Sequence, residues 1–261
     1  MTFCYRVRLP VGWGVVWALA LKLGLALAPA WAQPAPELRM AASGSWTLPW
    51  GRWEGQTVVE GIHHDLAQAV AQRLGWRLRF VRLLPTKGHF SEVDRETDLR
   101  CGLDRSWVPD PSLYHWSAPL FDTSDRLVGH RDSPVPRSLD ELAEGQRIGT
   151  VRAYHYPTLQ ARFEDGRLLR EDAFSQIQAL EKLSRKRSDY AVVSPQVWAW
   201  YRRSTAEHQL AGWSLPVQPS AYHCGVPSSS PRDARAILAA VQALRDEGEI
   251  ARILARYGAA S

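Results

Sequence analysis

The sequence lacks the short signatures of the common enzymes and metalloproteins. Its 261 residues hold no Gly-rich phosphate loop, no nucleophile elbow, no paired-cysteine zinc signature and no His-Glu-x-x-His pair. Those absences exclude the familiar routes to phosphate binding, acyl transfer and zinc hydrolysis, and no cofactor or metal is expected. Cysteine is scarce, at three, and no internal repeat or low-complexity run occurs. Hydrophobic residues make up 45% and charged residues 23%, near the globular average, which excludes a disordered, collagen-like or polytopic membrane chain.

A formal charge of +5 at first points to a nucleic acid or membrane surface. Its location argues otherwise. Arg6 and Arg8 precede an apolar stretch from Val11 to Ala28 that carries only Lys22, and Ala30-Trp31-Ala32 then leads to Gln33-Pro34. Basic, apolar, then small-x-small is the order of a secretory signal peptide over residues 1–32, an uncleaved membrane anchor being the alternative. Without that segment the cations fall to 29 against 27 acids, so no nucleic-acid partner is expected. Cys101 and Cys224 remain, an even pair in a compartment where disulfides persist, or else two buried thiols.

The mature part alternates strand and helix patterns. Leu38–Ser43 is a strand candidate, and a loop from Gly44 to Gly61 follows with Trp46, Trp50 and Trp53. Leu66, Ala69, Val70 and Leu74 repeat at helical spacing, with Asp65 the expected N-cap and Gly75 the stop. Strand patterns return at Leu78–Leu83, Asp98–Leu103 and Arg126–His130, and Ser133–Pro136 marks an expected crossing between lobes. A second unit follows: strand 147–151, helix 157–163, strand 168–170, helix 173–185, strand 189–193 and a Pro195 helix with Trp198 and Tyr201. Strand patterns near 213–215 and 221–226 and two amphipathic closing helices complete the chain.

Three indoles in one loop supply rigid, flat contact area and faces that attract cations, as a binding pocket needs, or else they cap the core. His63-His64-Asp65 is a weak metal candidate, because adjacent side chains diverge.

The order of elements and several motifs resemble the bacterial periplasmic solute-binding proteins of family 3. The matching pieces are Gly61-Ile62-His63-His64-Asp65-Leu66 leading to Arg73-Leu74-Gly75, and Trp116-Ser117-Ala118-Pro119-Leu120-Phe121. Ser138-Leu139-Asp140-Glu141-Leu142 before Ile148-Gly149, and Ala243 through Tyr257-Gly258, complete the set. The resemblance implies an α/β, two-lobed periplasmic-binding-protein fold of type II, each lobe a mainly parallel sheet flanked by helices. Lobe 1 would take residues 33–130 and 220–261, and lobe 2 residues 131–219. A monomer in the periplasm would capture a small solute by hinge closure and deliver it to the permease of an ABC importer. An enzyme of dehydratase type and a sensor without transport are the alternatives on the same fold.

Two positions depart from that pattern. The Arg that forks onto a ligand carboxylate falls on Asp110, and the acid that grips a ligand ammonium falls on Ser194. Arg105 and Trp107 from the first lobe, and Arg152, Tyr154, His155 and Tyr156 from the second, are the substitutes. Of these, Arg105, Trp107, Arg152, Tyr154 and His155 join Trp46, Trp50 and Ser194 as the expected ligand site, suited to an aromatic, planar or anionic group. His155, Asp104 and Asp110 are the acid-base candidates of the enzyme alternative. A return strand beside the first-lobe sheet would let Cys101 and Cys224 pair.

Overall fold

The computed structural model describes residues 1–6, 35–83 and 94–259. The expected signal segment therefore lies outside the described residues except for its first six, which are exposed, carry no helix or strand and include the free Cys4. No helix among the described residues is long and apolar enough to cross a membrane. The helices and strands belong to the compact unit that begins at Ala35.

Strand β1 (Glu37–Ser43) and strand β4 (Arg77–Leu83) pair in parallel, joined through helix α1 (Ile62–Leu74). This βαβ crossover forms because α1 turns Leu66, Ala67, Val70 and Ala71 toward the sheet and needs a partner for that apolar face. Between β1 and α1 the tryptophan-rich segment is a hairpin, β2 (Arg52–Glu54) with β3 (Thr57–Glu60), where the sequence reads as loop. Helix α1 starts at Ile62 with Gly61 as cap, so Asp65 is not the N-cap. Asp65 lies in the first turn, ion-paired to Arg256 and accepting from the Tyr257 hydroxyl at 3.1 Å.

Backbone bonds between Arg39–Ala41 and Asp98–Leu99 continue the sheet from β1 toward β5 (Arg100–Leu103). From there the strands run β5, β11 (Leu215–Pro227), β7 (Phe121–Gly129), β10 (Tyr190–Val193), β8 (Gln146–Val151), β9 (Leu168–Ala173), with β6 (Tyr114–Trp116) beside β11. Strands β8, β9 and β10 are mutually parallel, whereas β7 and β11 are antiparallel to their neighbours. These two long strands carry the chain between two hydrophobic cores.

The first core takes β1, α1, the end of β11, and the closing helices α5 (Ala234–Asp246) and α6 (Glu249–Arg256). The other half of the molecule packs helices α2 (Pro157–Glu164), α3 (Gln176–Ser184) and α4 (Pro195–Ser204) against β8, β9 and β10. Phe121 of β7 packs on the first core while Leu127 and Val128 are buried in the second half, so β7 itself makes the crossing ahead of Ser133–Pro136. Two strand patterns near 213–215 and 221–226 are one 13-residue strand, β11. It tolerates Pro216 because its register with β7 slips between Pro216 and Gln218, while Pro219 stands opposite Ser124 beyond the slip. Helix α3 starts at Gln176, since Ala173 still belongs to β9 and the Ser175 hydroxyl caps the helix.

Asp98 ties β1 to the start of β5. It takes a two-pronged ion pair from Arg39, at 2.9 and 2.7 Å, plus the Arg39 N–H and the Ser230 hydroxyl. Cys224 stands opposite Cys101 in the β11–β5 register, and the structure joins them as a disulfide.

Candidate functional site

A cavity of about 240 Å³ opens where β7 and β11 pass from one half of the molecule to the other. Its walls include Trp46, Trp50, Trp107, Arg152, Tyr154, His155, Tyr156 and Ser194, so most of the residues singled out from the sequence meet there. Arg105 does not; it is exposed and lies over the Trp116 ring, 5.5 Å from its centroid. Trp53 is also elsewhere, its indole N–H donating to Ser43 O at 3.0 Å beneath the guanidinium of Arg82.

The aromatic wall is built around His63. Trp46 packs on its ring, tilted by 31° with 3.8 Å between centroids, and His63 Nε2 lies 2.8 Å from the Tyr222 hydroxyl. Burial pushes the His63 pKa down to about 3, so the ring is neutral and its role is to brace the aromatics. Tyr222 stacks in turn on Trp50 and on Phe121. His64 faces elsewhere, bonded to Asp65 and stacked on Phe80, so the two histidines do not converge. Among the described residues no cluster of three His, Cys, Asp or Glu could hold a metal ion.

Two glycines allow this crowding. At Gly102 φ is +83°, and a Cβ would lie 2.7 Å from the His63 ring and 2.9 Å from the Tyr222 oxygen. At Gly61 φ is +119°, and a Cβ would sit 2.6 Å from Gly51 Cα, which is how the tryptophan segment folds against the start of α1.

Side chains also bridge the cavity. Trp50 Nε1 donates to Ser194 Oγ at 3.1 Å, and Ser45 Oγ lies 3.1 Å from the Tyr154 hydroxyl. Ser194 also caps α4 through the Val197 N–H, and its own N–H donates to Gln176 Oε1. Its hydroxyl therefore serves the indole and the helix.

Sequence reasoning missed Arg100, Thr123, Asp125 and Gln176, all on the cavity wall. Arg100 donates to the Tyr114 hydroxyl at 3.2 Å and lies 3.6 Å from the Asp94 carboxylate. Asp125 keeps part of its surface open, yet the surrounding protein strips enough water to push its pKa up to about 6. The alternation of β7 was the available signal: Thr123 and Asp125 share one strand face with Phe121.

Of the three acid-base candidates, only His155 lines the cavity. Asp104 accepts from the Ser106 and Ala221 N–H groups, and Asp110 is an exposed cap that accepts from Ser112.

No protein-family model matches the chain, and no curated protein matches it. Solved structures do. A mutant of ArgBP from T. maritima is 19% identical with a TM-score of 0.66, over 85% of this chain and 94% of that one. A histidine kinase sensor domain with similarity to periplasmic binding proteins is 19% identical with a TM-score of 0.69, over 86% and 96%. An ancestral amino acid-binding protein described as a precursor of cyclohexadienyl dehydratase is 15% identical with a TM-score of 0.66, over 85% and 94%. At these identities the likeness establishes the fold, a two-lobed periplasmic-binding-protein fold of type II.

Proposed function

We propose that this protein is a periplasmic solute-binding protein, a divergent relative of family 3, that captures a small polar or aromatic solute by closing two lobes over it. The observation that carries this reading is the aromatic cavity at the strand crossing, walled by elements of both halves. Lobe 1 would comprise residues 33–130 and 220–261 and lobe 2 residues 131–219, hinged on β7 and β11. Closure around a ligand at such a junction is the usual way a two-lobed α/β protein converts binding into a recognisable shape. Export through residues 1–32, action as a monomer and delivery to the permease of an ABC importer complete the proposal. Ligand contacts would come from Trp46, Trp50, Trp107, Arg152, Tyr154, His155 and Ser194.

The sensor reading has a sensor domain among the structural neighbours, and the dehydratase reading has an amino acid-binding protein that is a dehydratase precursor. Incubation with cyclic acids separates them, because an enzyme turns its ligand over and a binding protein returns it unchanged. Thermal-shift screening against amino acids, amines, aromatic acids and sugars identifies the ligand class, since a bound solute raises Tm by mass action. The ligand should quench Trp fluorescence, and Trp46→Ala and Arg152→Ala should each weaken binding about tenfold. Unchanged affinity in both variants overturns this site.

A further inference from the structure

Asp125 is the one carboxylate among the described cavity-wall residues, and it sits at the strand crossing, opposite Gln218 beside the register slip of β11. Desolvation is the only influence acting on it; no hydrogen bond and no neighbouring charge among the described residues stabilises its ionised form. Two residues along the same strand face, the Thr123 hydroxyl is buried with no hydrogen-bond partner. A chain seldom leaves an acid and a hydroxyl of one strand face unpaired on a cavity wall, because each gives up water without a partner to replace it.

The nearby cations do not answer this need. Arg100 on β5 is directed to Tyr114 and Asp94, and the Arg152 side chain is exposed. The remaining titratable groups around the cavity are the Tyr154 and Tyr156 phenols, which burial and the Asp125 charge push further from ionising, the neutral His63, the Tyr222 phenol and the exposed His155. Trp46, Trp50 and Trp107 offer ring faces that favour positive charge. An unpaired anion, an unpaired acceptor and aromatic faces around one small cavity form a receptor for a protonated nitrogen.

We propose that Asp125 and Thr123 form a cation subsite, so that the solute carries an ammonium or comparable protonated nitrogen that pairs with Asp125 while its body lies between the tryptophans. This rests on the solute-binding reading and narrows its ligand class. The bound nitrogen donates to the Asp125 carboxylate, and to Thr123 Oγ1 once that side chain, whose hydroxyl is covered in this structure, turns toward the cavity.

Matched probes test it. Calorimetry and thermal shift at pH 7.5 compare tyramine with 4-hydroxyphenylacetate, putrescine with succinate, and L-tyrosine as the member carrying both charges. The expected result is binding by at least one nitrogen-bearing probe and none by its carboxylate-only counterpart. Asp125→Asn should then weaken that probe at least about thirtyfold, and Asp125→Glu, which keeps the charge, should retain part of the affinity. The Asn variant should remain folded, because it removes an unpaired buried charge, and an unshifted or raised Tm verifies this. Binding of 4-hydroxyphenylacetate or succinate with equal affinity in wild type and Asp125→Asn overturns the cation subsite while leaving the solute-binding reading intact. If no probe shifts wild type, the subsite and the small polar or aromatic ligand class fall together.

Discussion

Asp125 and Asp98 are both carboxylates in low-water surroundings, and their neighbours send them in opposite directions. Burial opposes ionisation of Asp98, but the Arg39 side chain, the Arg39 N–H and the Ser230 hydroxyl more than offset it, and its pKa falls. Asp125 has no such partners, and burial alone raises it to about 6. The two contribute to stability with opposite sign. Asp98 stabilises the fold above the ordinary carboxylate range and loses that contribution as pH falls through its depressed value. Asp125, with a folded pKa above the unfolded one, favours the fold at low pH and loses that contribution as pH rises from about 4 through about 6. Asp125→Asn should therefore stabilise the unliganded protein at pH 7.5 by up to about 2 kcal/mol, discounted for partial exposure. It should also flatten the difference from wild type below pH 4; denaturant unfolding of both proteins at several pH values measures this. His63 stays neutral in the fold through that range while the unfolded chain takes up a proton below its ordinary value, so it adds a slope of opposite sign, stability rising with pH, which is common to wild type and Asp125→Asn and cancels in their difference. In sequence order Asp125 is one acid in Phe121-Asp122-Thr123-Ser124-Asp125-Arg126, with nothing to separate it from Asp122. The family resemblance directs attention to positions 110 and 194, where the grip is missing, rather than to the strand between them.

At the level of elements, periodicity and capping located α1, α4 and the closing helices, and failed where pairing partners decide. The β2–β3 hairpin was hidden because Trp, Gly and Pro read as loop, whereas Trp53 belongs to β2. Helix α1 begins before Asp65 because Gly61 can adopt a backbone that lets Ile62 start the turn. Strand β11 reads as two pieces divided at its prolines, since a sequence reading cannot see that a register slip falls at Pro216–Gln218. The Cys101–Cys224 disulfide joins β5 to β11 across 123 residues. In the chain-entropy picture, closing so long a loop stabilises by about 5 kcal/mol, less any strain in the folded bridge. Cys101→Ala/Cys224→Ala should lower unfolding stability by roughly that amount, and mass spectrometry of protein purified from the periplasm should find the pair oxidised. Two free thiols there would rule out the bridge.

For the whole molecule, the cavity depends on how the two halves meet. The bonds Trp50–Ser194 and Ser45–Tyr154 cross it and act as direct struts between its walls. In a hinged protein such struts stabilise the closed arrangement before any solute arrives, and the solute shifts the equilibrium only by its preference for the closed form. Trp50→Phe keeps an aromatic ring and removes the Nε1 donor along with the five-membered ring that carries it. Losing one such hydrogen bond, about 1 kcal/mol, should move the unliganded population toward open by about fivefold, read as a larger radius of gyration in solution scattering. An unchanged scattering profile would mean the strut carries no closing energy.

By itself the sequence determined the main strand-helix alternation, though not the β2–β3 hairpin or the continuity of β11, together with the supply of indoles and the pairing candidates among the cysteines, because these follow from local periodicity and composition. It also separated the excess positive charge from the body of the chain. Only the tertiary structure decided which side chains share the cavity, leaving Arg105 and Trp53 outside and bringing in Arg100, Thr123 and Asp125. The physical reason is that cavity membership and desolvation are set by the register of β7 and β11 and by groups a hundred or more residues apart, such as Ser45 with Tyr154 and Trp50 with Ser194.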